Sequence, residues 1–185
     1  SLLSPENLGD EERSVVAPGS SVSKWSIKSG WDRAEEFLEE KLEGFQWRKE
    51  GERQVLFFAE FDPHLNYSYG GKSHTACSTF PLWMQDMVDS ISHLRSDQHP
   101  GQATVFFNKY AVTDASVLPG IPFHSDNEPL IGSKKGPIDA FSLSFYDSMR
   151  FEVKSKQKSF STETGWSVIK MAGLTQQTAL HGLRK

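Results

Sequence analysis

The sequence predicts an α+β fold in which helical segments come first and a jelly-roll core of mostly antiparallel strands follows. Two stretches, residues 31–42 and 81–94, place their apolar side chains on one helical face. From residue 102 onward, strand-sized apolar segments alternate with Gly, Pro, Ser and Asn, which is typical of an antiparallel sandwich or barrel. A length of 185 residues fits one domain with a full-sized core.

The first half of the chain is predicted to hold an arm, two helices and a hairpin. Residues 1–29 mix Pro, Gly, Ser and charge without a sustained period, which predicts a flexible arm or linker ahead of a folded domain over residues 30–185. The helix over residues 31–42 is expected to pack against a sheet, and Pro81 opens the second helix. Between the helices, "RQVLFFAEF" predicts a strand and "HLNYSYGGKSH" a hairpin with its turn at Gly70 and Gly71.

The late strands are predicted from seven short segments that turn-forming residues separate. They are "ATVFFNKYA", "IPFHSD", "IDAFSLSFY", "RFEVKSK", "KSFSTE", "WSVIKMA" and "TALHGL".

Charge and cysteine content limit the possible functions. The net charge of −4 argues against a nucleic-acid binder that works by bulk charge. Residues 1–62 hold 14 acids against 8 bases, and residues 63–185 hold 10 acids against 12 bases, so a polyanion contact is expected in the second part. The single cysteine, Cys77, favours a reducing compartment such as the cytoplasm. No apolar run approaches the ~20 residues of a membrane-spanning helix, and the start at Ser1 predicts a piece of a longer chain.

The segment "FHSDNEP" contains a candidate metal motif. At the end of an extended strand, residues i and i+2 point to the same side, so His124 and Asp126 can present an imidazole and a carboxylate to one ion. His181, which lies 57 residues later in another strand-like segment, is the candidate third ligand. Two histidines and one carboxylate on one face leave three coordination positions open, as in non-haem Fe(II) oxygenases.

Other interpretations of the histidines stay open at this point. Taken by itself, the H-x-D motif favours a polar turn between strands over a metal site. The remaining histidines lie in predicted turns or helix ends and are expected to be solvated, although zinc binding by histidines is also possible; they are His64, His74, His93 and His99.

Four stretches in the same order resemble the AlkB family of Fe(II)- and 2-oxoglutarate-dependent dioxygenases, over roughly residues 50–183. "FNKYAVTDASVLPGIPFHSDNEP" resembles the N-x-Y, variable loop and H-x-D of that family, and "NYSYGGKSH…FPLWM" its substrate-side hairpin. "PIDAFSLSFYDSMRFEV" resembles the strand pair after the metal motif, and "GWSVIKMAGLTQQTALHGL" the strand that carries the distal histidine. The chain is most similar to the AlkB-like domains of replication polyproteins from plant positive-strand RNA viruses.

The resemblance implies a double-stranded β-helix with N-terminal helices packed on one sheet, and an oxidative demethylase. Fe(II) would be held by His124, Asp126 and His181. The cosubstrate 2-oxoglutarate would be hydrogen-bonded by Asn108 and Tyr110. The implied reaction hydroxylates the N-methyl carbon of 1-methyladenine or 3-methylcytosine with O₂, after which formaldehyde leaves and the base is restored. The substrate would be single-stranded RNA or DNA, viral RNA above all, in the host cytoplasm, and the domain would act as a monomer.

The same resemblance implies further roles, and for each of these residues a purely structural role is also possible. Tyr67 and Tyr69 would form the lid over the nucleotide, or pack across the hairpin. Glu128 would lie near the substrate base, or cap a turn. Tyr110 would bind cosubstrate, or belong to the core. A basic stretch would follow the phosphates, or be a solvated strand face; its residues are Lys134, Lys135, Arg150, Lys154, Lys156 and Lys158.

One departure from the family pattern bears on activity. The family holds the distal carboxylate of 2-oxoglutarate with arginines beyond the last histidine, whereas this chain ends at Lys185 and its Arg184 lies too near His181. The expectation is a domain truncated at its C-terminus. The alternatives are therefore a nucleic-acid-binding jelly roll without turnover, a dioxygenase acting on proteins or small molecules, and a zinc hydrolase on the same three residues.

Overall fold

The computed structural model describes residues 3–28, 33–51, 53–69, 71–96, 103–110, 120–126, 137–145 and 148–184. The helices within these ranges are α1 (Ala34–Lys41), α2 (Leu82–Ser90) and α3 (Thr175–Thr178), with 3-10 turns at Pro5–Asn7 and Ser92–Leu94. The strands are β1 (Glu12–Ala17), β2 (Ser20–Ser26), β3 (Arg48–Glu50), β4 (Arg53–Ala59), β5 (Asn66–Tyr69), β6 (Lys72–Thr75), β7 (Thr104–Tyr110), β8 (Ile121–His124), β9 (Ala140–Ser144), β10 (Arg150–Ser155), β11 (Ser159–Glu163), β12 (Ser167–Gly173) and β13 (Ala179–Arg184).

The described strands form four sheets. Two have four strands each, in the orders β1-β2-β12-β9 and β11-β10-β13-β8; a third has the order β3-β4-β7, and β5 and β6 form a hairpin. Every pairing between these strands is antiparallel. The predicted α+β class with mostly antiparallel sheets is therefore confirmed, as are both helices, the hairpin and the seven late strands. Among the described strands the sheets do not close into a barrel.

The prediction of a flexible arm over residues 1–29 is wrong. Strand β2 pairs along its whole length with β12, and β1 pairs with β2, so both belong to one of the large sheets. Val22 is completely buried there, and even Ser20 is only 2% exposed. Serine-rich composition suggested a linker, but a buried hydroxyl is acceptable where it is hydrogen-bonded, as that of Ser20 is to Thr178.

The main hydrophobic core takes side chains from both four-stranded sheets. Val16 and Val22 come from the sheet that contains β1 and β2, and Phe151 and Val153 from the sheet that contains β10. Alternate residues of β10 are buried, as expected for strands with one face toward a core. The same alternation directs His181, the third residue of the neighbouring strand β13, toward this core.

Two further clusters involve the helices. Leu42, after α1, and Met84, in α2, share a cluster with Leu56 and Phe58 of β4. Trp25 of β2 and Val168 of β12 share another with Ile91, after α2. No helix in the described ranges has the length and apolar character that a membrane crossing requires.

A pair of valine substitutions tests whether the first strands are structural. Val22→Ala removes a fully buried side chain, and we expect it to lower the free energy of unfolding by roughly 1.5–3 kcal/mol. Val15→Ala, on the neighbouring strand with 54% exposure, is the matched control and should change it by less than about 0.5 kcal/mol. Urea denaturation measures both; equal effects would mean that this segment does not contribute to the core.

Candidate metal centre

Two paired strands hold the two histidines of the candidate site. His124 is the last residue of β8 and His181 is the third residue of β13, and the two are direct partners in the antiparallel pairing. Directly opposite residues place their side chains on the same face of a sheet. The two imidazole rings accordingly lie with their centroids 4.3 Å apart.

An irregularity in this pairing sets the register. His181 pairs with His124 and Leu183 with Ile121, so β8 uses one residue more than β13 over the same span. Two residues, Pro122 and Phe123, therefore stand opposite Gly182 in a β-bulge, and Pro122 lacks an N–H for a regular ladder. Gly182 permits the close approach, because a Cβ atom there would lie 2.8 Å from the carbonyl oxygen of Ile121. The requirement for glycine beside His181 is therefore steric.

Asp126 follows β8 and is held by a residue of α3. Its backbone N–H donates a hydrogen bond of 2.9 Å to Oε1 of Gln176, which is only 3% exposed. The Nε2 atom of the same amide lies 3.6 Å from the sulfur of Met171. Gln176 thus ties the segment after β8 to the segment before β13, which fixes the carboxylate of Asp126 beside His181.

The three side chains converge on one point. Nε2 of His124 lies 3.5 Å from Oδ1 of Asp126, and Nε2 of His181 lies 3.3 Å from Oδ2. One potential ligand atom from each residue lies within 4.8 Å of the other two. Ligands bound at about 2.1 Å and at right angles around an ion are about 3 Å apart. The triad is therefore close enough to hold a metal ion with small side-chain movements.

The electrostatics of the triad favour an ionised carboxylate. Burial alone would raise the pKa of the Asp126 carboxyl, but the hydrogen bond with His181 and the charges of His181, His124 and Arg53 outweigh it and lower the pKa. Asp126 is consequently an anion at neutral pH, the form that coordinates a cation. Its two oxygens contact different histidines, so it bridges the site.

The site has a closed side and an open side. The side chain of His181 is 9% exposed, whereas those of His124 and Asp126 are 41% and 42% exposed. Nδ1 of His124 lies 2.8 Å from the carbonyl oxygen of Pro122; in the tautomer that donates this hydrogen bond, Nε2 is left to face the ion. The half-exposed side of the triad can therefore accept exogenous ligands.

Arg53 connects the predicted cosubstrate residues to this centre. Its guanidinium donates a 2.9 Å hydrogen bond to Oδ1 of Asn108, and Arg53 stands directly opposite Tyr110 in the pairing of β4 with β7. Burial raises the pKa of the Tyr110 phenol, so the phenol stays neutral. Since the charge of Arg53 also acts on Asp126, this end of β7 lies within electrostatic reach of the triad.

The predicted lid tyrosines pack into an aromatic cluster on the hairpin. The ring of Tyr69 stacks on that of His74 at 5.1 Å, and Tyr67 packs against Phe57 and Phe106. The Tyr69 hydroxyl donates a 2.7 Å hydrogen bond to Oε2 of Glu50. In this conformation the packing alternative describes Tyr69, whose hydroxyl is used within the protein.

Glu50 is the buried anion that organises the hairpin. Its side chain is 2% exposed and its carboxylate lies 3.2 Å from Arg53 and 2.8 Å from Nε2 of His74. Burial by itself would raise the pKa of Glu50, but the Tyr69 hydrogen bond and the neighbouring positive charges lower it. The expectation that His74 is solvated is wrong, because its ring is packed inside this cluster and is 5% exposed.

Some predicted site residues lie outside the described part of the chain, and some observed neighbours of the site were not predicted. Glu128, Lys134 and Lys135 lie outside the described residues, as does His99. Conversely, Arg53, Glu50 and Gln176 were not predicted as parts of the site. The sequence offers two adjacent glutamines before His181, and nothing in it distinguishes Gln176 from Gln177.

Comparison of the chain with protein-family models and with curated protein sequences finds no match.

Replacing Gln176 tests whether it positions the metal ligands. Gln176→Leu keeps the size of the side chain but leaves the N–H of Asp126 without its acceptor, and we expect roughly 10-fold weaker Co²⁺ binding in a calorimetric titration. Gln177→Leu, at the exposed neighbouring position, is the control and should bind as the wild type does. Equal affinities for all three proteins would show that the amide has no such role.

Proposed function

We propose that this chain is an Fe(II)- and 2-oxoglutarate-dependent dioxygenase that removes N-methyl groups from bases of single-stranded nucleic acid. The observation that carries the proposal is the convergence of His124, Asp126 and His181 within 4.8 Å. The resemblance of the surrounding sequence to the AlkB family supports the choice of reaction. The proposed fold is the family's double-stranded β-helix with helices packed on one sheet.

The donor set fits iron. Two imidazole nitrogens and an ionised carboxylate on one face leave three positions for cosubstrate and O₂, the requirement of non-haem Fe(II) oxygenases. A bound iron with 2-oxoglutarate and O₂ supplies an oxidant strong enough to hydroxylate an N-methyl carbon. The same donors fit Zn²⁺, so a test of the proposal needs a condition without O₂.

The cosubstrate is proposed to lie between β7 and the metal centre. Asn108 supplies amide donors and Tyr110 supplies a neutral phenol, both suited to a dicarboxylate. Arg53, which donates to Asn108 and stands opposite Tyr110 on the neighbouring strand, adds the positive charge and the fork of N–H donors that carboxylates prefer. In this proposal Arg53 takes the part that the family gives to an arginine after the last histidine.

The substrate base is proposed to enter on the half-exposed side of the triad. The hairpin of β5 and β6 would cover it, with the rings of Tyr67 and Tyr69 offering a stacking surface at the edge of their cluster. A methyl group on the pairing edge of a base is accessible only when the base is unpaired, so a single strand is the fitting substrate. Glu128 is proposed to lie near the base and to favour its positive charge.

Mass spectrometry of an RNA oligonucleotide that contains 1-methyladenine tests the proposal. After incubation with Fe(II), ascorbate, 2-oxoglutarate and O₂, we expect the oligonucleotide to lose the mass of one methylene group per methyl. His124→Ala removes a ligand and should abolish the loss, whereas His93→Ala, in a 3-10 turn outside the triad, should not.

The control conditions separate the alternatives. Modification that persists without O₂ and 2-oxoglutarate would indicate a hydrolase and contradict the proposal. Cosubstrate turnover that peptides stimulate and methylated RNA does not would indicate a dioxygenase for another substrate class. Binding of RNA without any removal of methyl groups would indicate a binding module.

Replacing Arg53 tests the proposed cosubstrate pocket. Arg53→Ala removes charge-assisted hydrogen bonds, so we expect the KM for 2-oxoglutarate to rise about 10-fold or more. Tyr69→Phe removes a hydroxyl that is hydrogen-bonded to both Glu50 and Arg53 but keeps the guanidinium and its bond to Asn108, and the KM should change by less than about threefold. Equal changes in the two variants would mean that Arg53 acts only by holding the hairpin, and thermal melting of both would report that structural effect separately.

A further inference from the structure

A cluster of cations lies on the sheet face opposite to the metal centre. Strands β10 and β13 pair so that Arg150 stands across from Arg184, and Lys154 lies further along β10 on the same face. His181 is on the other face, beside the core residues Phe151 and Val153. We call Arg150, Lys154, Arg184 and the carboxylate between them, Glu152, the cation cluster.

One carboxylate is shared by three cations in this cluster. Glu152 lies 3.2 Å from Arg150, 3.3 Å from Lys154 and 3.7 Å from Arg184. The carboxylate is mostly buried at 13% exposure, whereas the three cations are 53%, 48% and 56% exposed. Glu152 therefore lies among all three cationic side chains while it neutralises only one of their three charges.

The surrounding strands add more positive than negative charge. The turn between β10 and β11 contributes Lys156 and Lys158, and β11 contributes Glu163, which stands opposite Arg150 in the strand pairing and accepts a hydrogen bond from Ser148. Five cations against two carboxylates give this region a net charge of +3, on a chain whose net charge is −4. Such segregation of charge favours contact between this face and an anion.

An aromatic ring completes the surface next to the metal ligand. The ring of Phe123 lies 4.3 Å from the ammonium of Lys154 and 4.7 Å from the guanidinium of Arg184. A shallow groove opens beside it and is lined by Gly120, Ile121, Pro122, Phe123, Leu183 and Arg184. Cations interleaved with a stacking ring are what single-stranded nucleic acid binds, through phosphates and a base respectively.

We propose that the cation cluster and Phe123 bind the phosphates and one base of a single-stranded nucleic acid as it approaches the metal centre, an inference that rests on the proposed function. Phe123 directly precedes the ligand His124, and β8 is the last strand in the order of its sheet among the described strands. A strand bound on the cluster therefore reaches the open side of the triad around the edge of β8. A peptide or a folded anionic protein surface would not require the ring beside the cations.

Substitutions that remove either a positive or a negative charge from the cation cluster test this surface. The assay is fluorescence anisotropy of a labelled oligouridylate of about 12 nucleotides, with metal-free protein so that catalysis plays no part. Lys154→Gln and Arg184→Gln should each weaken binding about 3- to 10-fold, and each should make the slope of log K against log salt shallower by about 0.7 for every phosphate that the variant no longer neutralises. Glu152→Gln should strengthen binding about 3- to 10-fold, because it frees a charge that the carboxylate now neutralises.

Matched charge changes elsewhere serve as controls. Glu12→Gln, on β1 of the other large sheet, changes the net charge by the same amount as Glu152→Gln. Lys49→Gln, on β3, changes it by the same amount as Lys154→Gln. Both should leave affinity within about twofold of wild type. Changes at the controls as large as at the cluster, or no binding by the wild type, would overturn the inference.

The outcome stays separate from that of the proposed function. Cluster-dependent binding without demethylation supports the surface and contradicts the enzyme. Demethylation that is indifferent to the cluster substitutions supports the enzyme and contradicts the surface.

Discussion

The pairing of β8 with β13 is the constraint on which the rest of the site depends. It places His124 directly opposite His181, and the side-chain period of two in a strand means that a slip by one residue would turn one imidazole to the other face. The bulge opposite Gly182 and the missing side chain of that glycine fix this register sterically. The convergence of the two histidines is thus a consequence of how two backbones fit together.

The remainder of the molecule supports that pairing from both sides. Strand β13 is held on its other edge by β10, and the inward residues of both strands share a core with β1, β2 and β12. Gln176 links the end of β12 to the backbone of Asp126. Arg53 ties β4 to β7 and, through Glu50, to the hairpin. One buried anion and one guanidinium therefore connect the elements that the proposed function needs to act together.

The elements and the ligands could be predicted from the sequence for a shared reason. Strands that bury one face show a two-residue alternation of apolar and polar residues, which can be recognised in the sequence. The H-x-D motif at a strand end places two candidate ligands on one side of the strand. His181 could be chosen because it stands in a strand-like segment at a suitable distance. The predicted fold class and the convergence of the triad follow from such local patterns.

Interactions between distant segments could not be predicted in the same way. Arg53 and Asn108 are 55 residues apart and meet only because β4 pairs with β7. Serines of β2 are polar in the sequence, but they are buried because β12 and α3 cover them. His74 was expected in solvent because no local pattern reveals Glu50 as its partner. In each case a polar residue is buried by a partner that only the tertiary structure supplies.

The binding of one ion by three side chains is tested most directly by a crystal structure of the protein soaked with Mn²⁺. Anomalous scattering locates manganese without reference to any assumed function. We predict one peak bonded to Nε2 of His124, Nε2 of His181 and a carboxylate oxygen of Asp126, at distances of about 2.0–2.3 Å. A peak bonded to other residues, or His181 turned away from an occupied site, would contradict this prediction and the metal centre with it.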